Sequence, residues 1–264
     1  MVVTRYVAIG DSTTEGVGDE GPDGAPRGWA DRFAAALADR HGHIAYANLA
    51  IRGRTTARIR REQAEAAMAL QPDLISAVVG VNDLVATRLD IDAFSHDVTA
   101  LFATLRGDGA TVLSATLPDL TGLVPAPRRV RGILRHRHAA MNAVLIAAAQ
   151  EHGIGLLRLD ELPASADARV WRPDRIHPNP VGHALFAAAM LQLLEGDPIT
   201  VSAQDDPGYG VLPYARPGAL SAVGWAARYL VPRTVRRLRG KSSGDGRAPK
   251  LPQVTELAGR LPPA

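Results

Sequence analysis

Four short segments, far apart in the chain, carry side chains that could together open an ester. Ser12 lies in Gly10-Asp11-Ser12 after an apolar N-terminal run, Gly53 stands between Arg52 and Arg54, and Asn82 between Val81 and Asp83. Asp174 and His177 follow much later, three positions apart. A serine hydroxyl is a weak nucleophile until a base takes its proton. The spacing of Asp174 and His177 lets the carboxylate turn back onto Nδ1 while Nε2 faces a serine. Attack on an acyl carbon places negative charge on the carbonyl oxygen. The N–H of Ser12, the unshielded N–H of Gly53 and the neutral amide of Asn82 are donors suited to that charge, and losing one such donor typically lowers the rate by about 10²–10³.

Each segment alone has a plainer reading. Gly-Asp-Ser is a common turn composition, and a loop with Pro178 and Pro180 after His177 is also what a helix start produces. Gly53 could serve only a turn, and Asn82 could cap a helix. The four segments in this order carry the argument.

The chain must place these loops side by side. Short apolar runs at residues 2–9, 44–49, 74–80, 111–116 and 155–159 predict strands,. Longer patterns at 26–40, 54–70, 131–151 and 180–194 predict helices between them. Ile91, Phe94, Val98, Leu101, Phe102 and Leu105 form one apolar stripe of helical spacing, starting after Asp90 and stopping at Gly107,. Alternating strands and helices predict a parallel sheet covered on both faces, with the site beyond the carboxyl ends of the strands. Ser12, Gly53 and Asn82 follow the first three strands, as that rule requires.

At 264 residues with 46% hydrophobic and 22% charged side chains, the chain has the composition of a globular protein rather than a disordered one,. It contains no cysteine, which excludes disulfides, thiolate metal sites and a cysteine nucleophile,. A net charge of +3 is too small to indicate nucleic-acid binding,. The apolar run before Ser12 is too short for a secretory signal, and no apolar stretch approaches the roughly 20 residues of a membrane span. A cytoplasmic protein is the expectation.

Residues 1–197 are expected to form the catalytic unit, and 198–264 a Pro/Gly-rich, basic extension with one helix at about 219–231, broken by Pro232, and a flexible end after Ser242,.

The four segments resemble the sequence blocks of the SGNH (GDSL-type) hydrolases over about residues 4–195. The resemblance implies a three-layer α/β/α sandwich with a flavodoxin-like parallel sheet of about five strands. It implies a serine esterase or lipase-like enzyme working through an acyl-enzyme on Ser12, with Asp174 and His177 completing the triad. Ser12, Gly53 and Asn82 would form the oxyanion hole, with no metal and no cofactor. Thr13 stands where the first block usually has leucine. The same triad would serve a thioesterase or an acyltransferase, and the fold without chemistry would be a binding module.

Other patterns carry less. Gly16-Val17-Gly18-Asp19-Glu20-Gly21 fits a dinucleotide fingerprint, but Asp19 and Glu20 would repel a pyrophosphate. Gly240-Lys241-Ser242-Ser243-Gly244 has no strand before it, so its likeness to a nucleophile elbow or a phosphate loop reads as chance. His41/His43 and His136/His138 read as solvated rather than zinc-binding. Arg52 and Arg54 flank Gly53, and Arg128 and Arg129 open a basic cluster. These four could bind an anionic substrate such as a carrier-bound or coenzyme A thioester, or else form a solvated face. The basic tail could touch a membrane or an acidic protein, but docking of Trp225, Tyr229 and Leu230 onto the rest of the chain is preferred. The expected substrate is a small-molecule or carrier-linked acyl ester, with no nucleic acid as partner.

Overall fold

Strands β1 (Arg5–Gly10), β2 (His43–Asn48), β3 (Leu74–Val78), β4 (Thr111–Ala115) and β5 (Gly155–Leu157) pair in parallel in the order β5-β4-β3-β1-β2. The computed structural model describes residues 2–21, 23–107, 109–210 and 222–260, apart from the side chains of Ala222, Arg233, Arg237 and Leu238. All five residues of β3 are buried, as expected of a central strand covered on both faces,.

Along β1 the side chains alternate between two cores. Val7 and Ile9 join one with Phe94, Leu101, Met141 and Leu145; Tyr6 and Ala8 join the other with Trp29, Phe33, Phe186 and Met190. The first core lies under α3 (Thr56–Ile59), α4 (Glu65–Ala69), α6 (Ile91–Arg106) and α7 (Arg128–His152), and the second under α2 (Gly28–His41) and α8 (Pro180–Glu195). Two one-turn helices, α1 (Ser12–Glu15) and α5 (Val81–Leu84), begin directly after β1 and β3. The result is the three-layer α/β/α sandwich that the alternation predicts. Trp29 and Phe33 are fully buried, with Trp29 stacked on Phe186 at 4.5 Å. Full burial of such side chains contributes about 1.5–3 kcal/mol each. Asp90 caps α6 by accepting from the Ala93 N–H at 3.0 Å.

The C-terminal extension departs from expectation. Residues 251–258 are not a flexible end: β6 (Leu251–Ala258) pairs antiparallel with β2 and makes the sheet six-stranded. Val254 packs on one core, and Leu251 and Leu257 on the other. The pairing is irregular between Tyr46 and Asn48, beside Pro252, which an edge strand with a bulge tolerates,. Nor does Pro232 end the preceding helix. After α9 (Ala222–Trp225), a π-helical turn at Ala226–Leu230 runs into α10 (Val231–Leu238), which contains Pro232. The wider turn shifts the hydrogen-bond register just before the residue that lacks an N–H. Residues 219–221 of the expected helix and 211–218 of the expected linker lie outside the described residues. Among the described residues, no helix is long and apolar enough to cross a membrane.

Candidate active site

Gly10 ends β1 in a conformation near φ +154, where a Cβ would lie 2.6 Å from Thr14 Oγ1. The buried Gln63 holds this residue at both ends, accepting from its N–H at 2.8 Å and donating to its carbonyl at 3.0 Å. Gln63 belongs to a π-helical turn, Arg60–Ala64, that joins α3 to α4. Asp11 then caps α1, accepting from the Thr13 N–H at 3.0 Å, so Ser12 opens a helical turn at the carboxyl edge of the sheet.

Across the same edge, the loop before α8 brings His177 to Ser12, with Nε2 2.9 Å from the hydroxyl oxygen. His177 Nδ1 lies 2.7 Å from Asp174 Oδ2, and Asp174 Oδ1 accepts from the N–H groups of Ile176 and His177 at 2.9 and 3.0 Å. Arg175 makes this turn possible by adopting φ +57, the left-handed region that a non-glycine residue enters only under constraint,. Its buried guanidinium is anchored on the Ala168 carbonyl at 2.8 Å. Burial alone would raise the Asp174 carboxyl. The His177 hydrogen bond and charge and the two N–H donors outweigh it and hold the group at about 2,. An ionised Asp174 can only accept, so the proton sits on His177 Nδ1 and Nε2 is free to accept from the Ser12 hydroxyl.

Asn82 sits in α5, where its Nδ2 donates to Asp11 Oδ2 at 2.8 Å and to the Arg54 carbonyl at 3.0 Å. Two acceptors on one side fix the amide orientation, because the reversed amide would put oxygen against a carboxylate. The next residue, Asp83, accepts from the Thr56 N–H and hydroxyl, each at 3.0 Å. Burial pushes its carboxyl up to about 6 against those donors.

Ser12, Gly53, Asn82 and His177 line one cavity of about 400 Å³. The backbone N–H groups of Ser12 and Gly53 have no acceptor among the described residues, which leaves them available to a ligand oxygen. The site therefore offers a hydroxyl, a base with an ionised carboxylate behind it, and neutral donors. That set can deprotonate an alcohol and stabilise an oxyanion.

The four candidate arginines separate. Arg52 lines the cavity, yet its Nε and Nη2 lie 2.8 and 2.5 Å from Glu15 Oε1. Arg54 is buried outside it, 2.6 Å from Glu62 and 3.3 Å from Asp245. Arg128 and Arg129 open α7 and do not border this cavity. His138 is not a solvated histidine: its Nε2 is 2.8 Å from the Leu117 carbonyl. Among the described residues, no cluster of three histidines, cysteines or carboxylates could hold a metal ion.

Sequence reasoning expects Trp225 to dock on the rest of the chain but misses the wall that the C-terminal extension adds to this site. Trp225 donates from Nε1 to the Pro173 carbonyl at 3.0 Å, beside Asp174. The chain then crosses to Gly53, whose carbonyl accepts from the Ser242 hydroxyl at 3.1 Å. A Cβ on Gly53, at φ +77, would lie 2.4 Å from that hydroxyl oxygen. Arg236, Gly240, Lys241, Ser242 and Ser243 thus form one wall of the cavity. Lys250 anchors the far end. Its ammonium donates to the carbonyls of Glu15, Pro26 and Arg27 at 2.8, 3.0 and 2.9 Å and pairs with Asp31. The run 240–244 is the only sequence signal for this wall, and without a preceding strand it reads as chance.

Residues 8–185 match the GDSL-like Lipase/Acylhydrolase family, and the chain belongs to it. It is a hydrolase acting on ester bonds. Among solved structures, it is similar to LAE5, an alpha/beta hydrolase enzyme from the metagenome of Lake Arreo, Spain. That likeness has 22% identity and a TM-score of 0.58, covering 73% of this chain and 95% of the other. It is similar to Axe2, an acetylxylan esterase from Geobacillus stearothermophilus, with 19% identity, a TM-score of 0.59, and coverage of 76% and 100%. A lipase/acylhydrolase from Enterococcus faecalis aligns with 18% identity, a TM-score of 0.58, and coverage of 73% and 96%. No curated protein matches the chain.

Proposed function

We propose that the chain cleaves a small-molecule or carrier-linked carboxylic ester by forming an acyl-enzyme on Ser12. The observation that carries this reading is the continuous contact from Ser12 through His177 to Asp174, at 2.9 and 2.7 Å, on the wall of an open cavity. His177 Nε2 takes the Ser12 proton as Oγ bonds to the acyl carbon, and Asp174 stabilises the imidazolium. The carbonyl oxygen becomes an oxyanion held by the N–H groups of Ser12 and Gly53 and by Asn82, whose hydrogen bond to the Arg54 carbonyl exchanges for it. His177 then protonates the leaving oxygen. Water, deprotonated by His177, attacks the acyl-enzyme and returns the Ser12 hydroxyl and a carboxylic acid.

A fluorophosphonate tests this reading, because it bonds only to an activated hydroxyl. Labelling of the intact protein at Ser12, with hydrolysis of a chain-length series of 4-nitrophenyl esters abolished in Ser12→Ala, is the expected result. Ester hydrolysis that survives Ser12→Ala would dismiss it.

A further inference from the structure

The wall supplied by the C-terminal extension has an uneven charge. Arg52, Arg58, Arg236 and Lys241 line the cavity, and no carboxylate does so among the described residues. Two of these cations are already neutralised. Arg52 is paired with Glu15, and Arg58 lies 2.7 Å from Glu62 and 3.1 Å from Asp245. Arg236 and Lys241 form no ion pair with a described residue, and both are exposed at the cavity that holds Ser12. Their backbone is held in place. The Lys241 N–H donates to the Arg236 carbonyl at 2.9 Å, and the next residue is fixed on Gly53. Unpaired cations of one sign at the wall of a cleft focus the field within it and concentrate anions there.

We infer that Arg236 and Lys241 form an anion subsite. The preferred substrate would then be an ester or thioester carrying a phosphate or carboxylate beyond the scissile carbonyl. This inference rests on the acyl-enzyme reading for the position of the scissile bond. It assigns recognition to the extension rather than to Arg54, Arg128 or Arg129, which lie outside the cavity. Arg236 offers a planar fork suited to two oxygens, and Lys241 a point charge beside it.

Matched substrates test it. S-acetyl-4′-phosphopantetheine and S-acetylpantetheine share the reacting atoms and differ only in the phosphate. The mono-4-nitrophenyl ester of succinic acid and 4-nitrophenyl butyrate differ in the terminal carboxylate. The two pairs separate phosphate from carboxylate recognition. In the full-length protein at low salt, at least one anionic member should exceed its neutral partner about tenfold in kcat/KM, the size expected from two partly exposed charge contacts. That ratio should shrink at about 1 M salt. It should also fall towards one in Arg236→Gln and in Lys241→Gln, but not in Arg61→Gln, which removes an equal charge from an exposed site outside the cavity.

Titration of coenzyme A and of succinate into the Ser12→Ala protein reads the same subsite without turnover, and each variant should weaken the favoured probe. Equal turnover within both pairs, together with probe binding unchanged by the two substitutions, would overturn the inference. Ser12-dependent hydrolysis of the neutral esters would leave the acyl-enzyme reading standing in that event.

Discussion

The Ser12 hydroxyl lies 2.9 Å from Nε2 of His177, although 165 positions separate them in the chain. Asp174 completes the alignment from the other side and stays ionised down to about 2. In the proposed mechanism, proton transfer falls to His177 and orientation to Asp174. His177→Ala should lower kcat by about 10⁶, and Asp174→Asn by about 10⁴. Steady-state hydrolysis of a 4-nitrophenyl ester ranks them, and the opposite order would reverse the role assignment.

Asn82 donates to Asp11 as well as to the Arg54 carbonyl. Asn82→Ala should lower kcat by about 10²–10³ with little change in KM, the signature of a donor used mainly in the transition state. Asn82→Asp should be worse, because it sets a second carboxylate against Asp11. Equal kcat in the wild type and Asn82→Ala would remove this residue from oxyanion stabilisation.

Gln63 touches no ligand-facing group but grips both ends of the Gly10 peptide unit. Gln63→Glu retains an acceptor for the Gly10 N–H and turns a second oxygen on the Gly10 carbonyl. The strand exit should shift, lowering kcat by about 10²-fold, as small displacements of a nucleophile do. Gln63→Asp should not rescue turnover. Unchanged kcat in Gln63→Glu would show that the grip is dispensable for positioning Ser12.

Burial pulls the Lys250 ammonium down and pushes the Asp31 carboxyl up to about 6, so each depends on the other in the folded chain. With side-chain exposures of 19% and 24%, the pair is mostly out of solvent. Lys250→Met should lower unfolding stability by about 3–5 kcal/mol, because it strands Asp31 and three carbonyls. Adding Asp31→Asn should recover part of that loss. Urea unfolding measures both, and a loss identical in the single and double variants would argue against the coupling.

His183 is fully buried, with Nδ1 accepting from the Trp29 N–H at 3.1 Å and Nε2 facing the Val17 carbonyl at 3.2 Å. Burial lowers it from 6.5 to about 4. The unfolded chain therefore takes up this proton first as pH falls. The stability contributed by His183 is complete above 6.5 and is lost progressively down to about 4,. Asp31 and Asp83, raised from 3.8 to about 6, act in the opposite sense across an overlapping range. The difference between wild type and His183→Gln isolates the histidine. The variant should gain on the wild type as pH falls through that window, and parallel curves would contradict the assignment.

What could be read in the sequence was local. The apolar stripe from Ile91 to Leu105, the Asp90 cap, the strand runs and the Asp174/His177 spacing depend on near neighbours in the chain, and they led to α6, the parallel sheet and the GDSL-type family. The tertiary structure decided the rest, because the deciding partners are distant. Leu251–Ala258, with Pro252 and isolated apolar residues, becomes a strand only because β2 presents an open edge and Lys250 is held by carbonyls from α1 and the start of α2. Pro232 stays within a helix, in the first turn of α10 behind a π-helical turn, where its missing N–H is tolerated,. Arg236 borders the cavity because the extension crosses Gly53 through a contact spanning 189 positions, for which spacing along a sequence has no signal.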